Sequence, residues 1–172
     1  MAIDRAGKKL YVNLSGTNEV GVVDLESRKL IARWPLPNAQ AANALVLDEA
    51  YHRLFTASHT PPKLIVFDID TGKVIATLPC VINNDDMSYD AARKRIYVTG
   101  DGAVSVFSQR DADRYEHIAD IPTGYRAKTS IFVPELSRLY IAVASRGKRA
   151  GGKLAVPEPG SNVEVQIYQA QP

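Results

Sequence analysis

The stretch Asp90-Ala-Ala-Arg-Lys-Arg-Ile-Tyr-Val98 decides the fold, because the chain carries versions of it four times. It stands earlier as Asp4-Arg-Ala-Gly-Lys-Lys-Leu-Tyr-Val12 and as Asp48-Glu-Ala-Tyr-His-Arg-Leu-Phe-Thr56. A looser copy, Pro134-Glu-Leu-Ser-Arg-Leu-Tyr-Ile141, comes later. From Leu10 to Leu54, Ile96 and Leu139 the steps are 44, 42 and 43 residues. A second run follows each: Val20-Gly-Val-Val-Asp24, Leu64-Ile-Val-Phe-Asp68, Val104-Ser-Val-Phe107 and Val163-Glu-Val-Gln-Ile-Tyr168. After a polar turn comes a third: Lys29-Leu-Ile-Ala-Arg-Trp-Pro35, Lys73-Val-Ile-Ala-Thr-Leu-Pro79 and Tyr115-Glu-His-Ile-Ala-Asp-Ile-Pro122. Self-similarity at one spacing marks a unit that buries its faces against its own neighbours.

The runs are short, rich in Val, Ile, Tyr and Phe, and bounded by Gly, Asp, Asn or Pro, so each reads as a strand. No stretch has a helical period. Ala44-Leu-Val-Leu47 and Ser130-Ile-Phe-Val133 are expected to be strands buried on both faces. Each repeat is then a four-stranded antiparallel meander, from inner strand a through b and c to outer strand d. Meanders of this length repeated along a chain predict an all-β fold, a β-propeller of about three and a half blades. The expected blades are residues 1–36, lacking most of the inner strand, then 37–80, 81–122, and 123–172, lacking the outer strand.

No Trp-Asp or Gly-His dipeptide stands where a WD40 repeat carries one. The repeated Arg/Lys-Leu/Ile-Tyr/Phe-Val/Thr, the strand ending in Val-Asp or Phe-Asp, and Gly72-Lys-Val-Ile-Ala-Thr-Leu-Pro79 resemble the YVTN-type β-propeller repeat of YncE-like bacterial proteins. The resemblance implies a closed ring of about seven blades, roughly 300 residues, and a periplasmic or otherwise extracytoplasmic setting for the full-length parent. On that count the chain is expected to be the C-terminal half of a longer protein. The alternatives are two copies completing an eight-blade ring as a homodimer, which twofold symmetry permits, or a lone four-blade ring.

The composition is that of an ordinary globular chain: 172 residues, 45% hydrophobic, 23% charged, net charge +2. One cysteine excludes an internal disulfide framework. No apolar run approaches the roughly 18–20 residues of a membrane-spanning helix, and the opening residues lack a secretory h-region.

In such meanders the b–c loops and d–a connections share one end of the ring. The d–a connections Gln40–Asn43, 82–86 and 126–129 differ between copies while the apolar positions match. Their side chains Asn43, Asn83, Asn84, Asp85, Asp86, Arg126, Lys128 and Thr129 are therefore the candidate binding residues at the channel mouth, suited to a polar or anionic ligand. The loop 145–162 is expected beside them, with basic residues Arg146, Lys148, Arg149 and Lys153 able to steer anions. His52, His59 and His117 occupy non-equivalent positions, in an a–b turn, a b–c loop and an outer strand. No histidine is expected at the mouth and no metal site is predicted. Cys80 reads as a small core group, and Asp68-Ile-Asp-Thr-Gly72 as a turn and not a calcium loop.

No P-loop, nucleophile elbow or dinucleotide fingerprint is present. The leading expectation is a non-catalytic scaffold binding a protein or small polar ligand at the channel mouth, without a cofactor. The alternative is part of a propeller enzyme of the quinoprotein-dehydrogenase or lyase kind, using the acidic residues at the mouth. A third reading, nucleic-acid binding through Arg126, Lys128 and the basic loop, is disfavoured by the mixed charge of the a–b turns.

Overall fold

A computed structural model describes residues 1–124, 126–143 and 164–171. Among the described residues fifteen strands form four antiparallel sheets, and Pro134–Leu136 makes a short 3-10 turn. The first holds β1 (Ala2–Ile3), β2 (Lys9–Leu14), β3 (Glu19–Asp24) and β4 (Lys29–Pro35). The second holds β5 (Gln40–Asp48), β6 (Arg53–Thr60), β7 (Pro62–Asp68) and β8 (Val74–Pro79). The third holds β9 (Asp86–Asp90), β10 (Arg95–Gly100), β11 (Ala103–Gln109) and β12 (Tyr115–Pro122). The fourth has three strands: β13 (Thr129–Val133), β14 (Arg138–Val143) and β15 (Glu164–Gln169). The three-and-a-half-blade count is thus observed. Residues 144–163, which include Arg146, Lys148, Arg149 and Lys153, lie outside the described residues.

Alternation along each strand explains how the sheets stack. On β7, Ile65 and Phe67 join the core shared with the first sheet, and Leu64 and Val66 that shared with the third. Val104 and Val106 of β11 likewise meet Phe132, Leu139 and Ile141 of the fourth sheet. Aromatic pairs bridge each seam: Trp34 with Phe67 (centroids 5.8 Å apart), Phe55 with Tyr89 (5.4 Å) and Tyr97 with Phe132 (5.4 Å). Burying each such ring contributes roughly 1.5–3 kcal/mol, so the seams carry most of the stability.

Polar pins fix the end where the a–b and c–d turns gather. Buried Arg53 donates to Asp68 (2.7 Å) in its own sheet, and to Asp113 (2.8 Å) and the Ala112 carbonyl (2.8 Å) of the third. Asp48 accepts hydrogen bonds from Tyr89 and Gln109 across the same seam. The charged a–b turns are largely paired, Arg5 with Glu49 and Arg93 with Asp90.

Two local expectations need correction. Gln40–Asn43 belong to β5 and not to a connection, because the inner strand extends past a bulge. Ser130–Val133 is not buried on both faces: Ile131 is 62% exposed, since its face of the fourth sheet has no neighbour among the described residues.

Candidate functional site at the channel end

Side-chain bridges set the direction of the inner strands. Ser130 N donates to Asp86 (3.0 Å) and Phe132 N to Ser88 Oγ (3.3 Å), so β9 and β13 run the same way. The starts of the inner strands therefore lie together, beside the b–c end of β6.

At this end two side chains of the second sheet meet one from each of the next two connections. Asn43 is the extra residue of a bulge between Ala42 and Ala44, which turns it out of the β5 pairing. His59 lies near the end of β6. Its Nε2 donates to the Asn84 carbonyl (2.6 Å) and lies 3.2 Å from Asp85 Oδ1. Asn43 Nδ2 donates to the same carboxylate oxygen (3.4 Å). From the next connection, Lys128 Nζ reaches Asp85 Oδ2 at 3.2 Å. Asp85 is the hub, its carboxylate shared by an amide, an imidazole and an ammonium group. The side chains of His59, Lys128 and Asp85 are 23%, 29% and 36% exposed, open enough for a ligand to reach.

Two acceptors facing Nε2 assign the ring proton to that nitrogen. Nδ1 makes no hydrogen bond with a described residue, so in the neutral ring its lone pair is free. Below the cluster Asn84 is fully buried, its Nδ2 donating to the Ser58 (2.9 Å) and Val81 (3.0 Å) carbonyls. Asn84 Oδ1 is buried with no partner among the described residues, an unusual debt for a polar atom.

The other expected site residues divide by role. Asp86 spends one oxygen on Ser130 N and so clamps two inner strands. Asn83 (φ 49°) and Arg126 (φ 58°) turn the chain, and Arg126 N is held by Asp101 (2.8 Å). Asn83, Arg126 and Thr129 lie at this end without joining the hydrogen bonds of the cluster.

His59 is the residue that sequence reasoning missed. The sequence places it in a b–c loop and no histidine at the mouth, yet it lies in β6 and pairs with Asp85. The signal available was that b–c loops and d–a connections share one end. How far along the blade radius a side chain falls is not written in repeat spacing. His52 pairs with exposed Asp70 (2.7 Å) and His117 with Asp120 (2.9 Å), so the three histidines do not converge. Among the described residues no group of three His, Cys, Asp or Glu is placed to hold a metal ion. The Asp68 turn is a turn: its Oδ1 accepts from Thr71 N (2.8 Å) and Thr71 Oγ1 (2.7 Å), which with Arg53 hold the carboxyl below its ordinary pKa. No helix among the described residues is long and apolar enough to cross a membrane.

No protein-family model and no curated protein matches the chain. Solved structures do. Hydrazine synthase of Kuenenia stuttgartiensis superimposes with a TM-score of 0.78 at 16% identity, over 97% of this chain and 44% of that one. The fold is that of a β-propeller. A Bacteroides uniformis protein named as a candidate 6-phosphogluconolactonase gives a TM-score of 0.74 at 13% identity, over 97% of this propeller and 56% of that chain. The dihydro-heme d1 dehydrogenase NirN gives 0.65 at 18% identity, over 83% and 31%. The propeller described here spans about half the length of the first two and a third of the third.

Proposed function

We propose that this chain forms part of a β-propeller that binds a small polar anion at the channel end. The observation that carries the reading is the convergence of Asn43 and His59 of the second sheet with Asp85 and Lys128 of the next two connections on one solvent-reachable cluster. A scaffold needs no such cluster to close its seams, which apolar side chains and the polar pins at the opposite end already hold. The Lys128 ammonium and the Asn43 amide supply the donors that an anion requires, and exposed Arg126 adds positive charge at the same end. The YVTN-type relationship and an exported setting, implied by the repeat motifs, belong to the same proposal.

The test is an amide chemical-shift titration with inorganic phosphate and with citrate. Saturable shifts at residues 43, 59, 85 and 128, weakened about tenfold in Lys128→Gln, support the reading. Shifts spread over the surface and unchanged in that variant overturn it.

One observation favours a second, catalytic reading. Asp85 and the Asn84 carbonyl hold Nε2–H of His59, which leaves Nδ1 as a positioned proton acceptor. Some structural neighbours are named as enzymes, among them the Bacteroides protein. Hydrolysis of 6-phosphogluconolactone above the spontaneous rate, lost in His59→Gln, would establish this reading. A rate equal to buffer alone would remove that substrate from it.

A further inference from the structure

Because three sheets repeat one register, each position in a sheet is a control for the same position in the next. The third and fourth strands meet through Gly21–Arg33 and Val23–Leu30 in the first sheet, and through Ile65–Thr77 and Phe67–Val74 in the second. In the third sheet the same places hold Ser105–Asp120 and Phe107–His117. A register shift falls at the same point in all three, so the correspondence holds residue by residue.

Ile65 is fully buried against the first sheet. At the equivalent place, facing the second sheet, Ser105 presents only a hydroxymethyl group. A smaller side chain in a tightly packed seam leaves space. Beside Ser105 an open pocket of about 240 Å³ lies between the end of the second sheet and the third sheet, lined by none of the channel-end residues Asn43, His59, Asp85 and Lys128.

Its walls are apolar: Pro79, Val81, Ala103 and the thiol of Cys80, which burial pushes up to about 12 and so keeps neutral. The polar groups form one chain. Val81 N donates to Ser105 Oγ (2.9 Å), and the Ser105 hydroxyl donates to Asp120 Oδ1 (2.6 Å). His117 Nε2 donates to that same oxygen (2.9 Å), its ring lying on Phe107 at 4.9 Å. The serine alone satisfies Val81 N, so the backbone has no need of the carboxylate. Asp120 Oδ2 accepts no hydrogen bond from a described residue, and no lysine or arginine among them pairs with Asp120. The places of Ser105, Asp120 and His117 hold Gly21, Arg33 and Leu30 in the first sheet and Ile65, Thr77 and Val74 in the second, so the third alone sets a carboxylate beside an imidazole there. Asp120, its side chain 54% exposed and 2.9 Å from His117 Nε2, stands at the edge of an apolar pocket with no lysine or arginine partner among the described residues.

We propose that this cavity binds a small primary amine with an apolar body, its ammonium paired with Asp120 and its hydrocarbon against Pro79, Val81 and Ala103. The experiment is an amide chemical-shift titration of the full chain with 2-phenylethylamine, using 2-phenylethanol and phenylacetate as shape-matched controls. The amine should give saturable shifts at Cys80, Ala103 and Ser105, and neither control should. Asp120→Asn, nearly the same shape, should weaken binding at least about tenfold. Ser105→Ile, which places the second sheet's residue there, should abolish it, with circular dichroism confirming that both variants fold. Equal binding of amine and alcohol, unchanged affinity in Asp120→Asn, or no saturable shift up to about 10 mM amine overturns the proposal. Preference for a lysine-bearing peptide over the free amine also overturns it and makes the cavity a docking point for a protein.

Discussion

Gly72 shows how one residue can hold a seam between blades. It closes the turn after Asp68 with φ +71°, and a Cβ there would lie 2.3 Å from Trp34 Nε1. The indole that stacks on Phe67 thus rests on the bare backbone of the next sheet. Gly72→Ala should cost about 2 kcal/mol or more, combining left-handed strain with displacement of the indole. Trp34 is the single tryptophan, so a urea titration followed by its fluorescence reports both the lost stability and the altered ring environment. An unchanged midpoint would mean that the turn can shift at no cost. Asp68, in the same turn, ties stability to pH. The Thr71 hydroxyl, helped by the Thr71 amide and Arg53, lowers its folded pKa. A lowered carboxylate pKa adds stability that is full above the unfolded value, near 4, and is lost as pH falls through the folded value. Acid should therefore weaken the wild type below about pH 4, and Asp68→Asn should flatten that part of the curve. The same variant should lower stability at pH 7 by about 2 kcal/mol, because Arg53 loses a charged partner. Denaturation midpoints measured from pH 7 to pH 2 check both statements.

Individual strands separate scaffold from site in a way that side-chain chemistry alone does not. Asp85 and Asp86 are adjacent carboxylates, yet Asp86 clamps β13 through Ser130 N while Asp85 gathers His59 and Lys128. Asp86→Ala should cost about 1–2 kcal/mol in a denaturant titration and leave the phosphate response of the folded protein intact. Lys128→Gln should do the reverse. A phosphate response lost in Asp86→Ala at full folding would return that carboxylate to the site. The strands themselves were legible because β-rich runs recur at one spacing, as Leu10, Leu54, Ile96 and Leu139 show. So was the end of the sheets at which Asn43, Asp85 and Lys128 gather, since meander topology sends d–a connections there. His59 was not, because its reach to Asp85 depends on how far β6 runs before turning, which apolar periodicity does not encode. The positive φ with which Asn83 and Arg126 turn the chain was not legible from residue type either. The difference between Ile65 and Ser105 stands in the alignment of repeats, but the pocket beside Ser105 depends on packing across a seam.

Across the whole molecule, each sheet is built to be covered on both faces, and two faces among the described residues are not. In the fourth sheet Ile131, Val165 and Ile167 share one face and are 62%, 60% and 55% exposed. In the first, Ile3 and Leu30 share a row with Leu10 and Val23 and are 56% and 41% exposed. These positions follow the same alternation that elsewhere buries Phe55 or Ile141, so their chemistry is that of a seam and not of a surface. Contiguous apolar surface of this kind drives association, and β15 adds an unpaired edge among the described residues. The isolated chain should therefore self-associate with rising concentration in sedimentation velocity and enhance the fluorescence of an anilinonaphthalene dye. Ile131→Lys combined with Ile167→Lys places two charges on the fourth-sheet face without touching a buried core. That variant should sediment closer to the monomer and lose much of the dye signal, with a stability change of about 0.5 kcal/mol or less per site. If the wild type sediments as a monomer at every concentration and leaves the dye dark, these faces do not drive association, and the double-lysine variant would change neither reading.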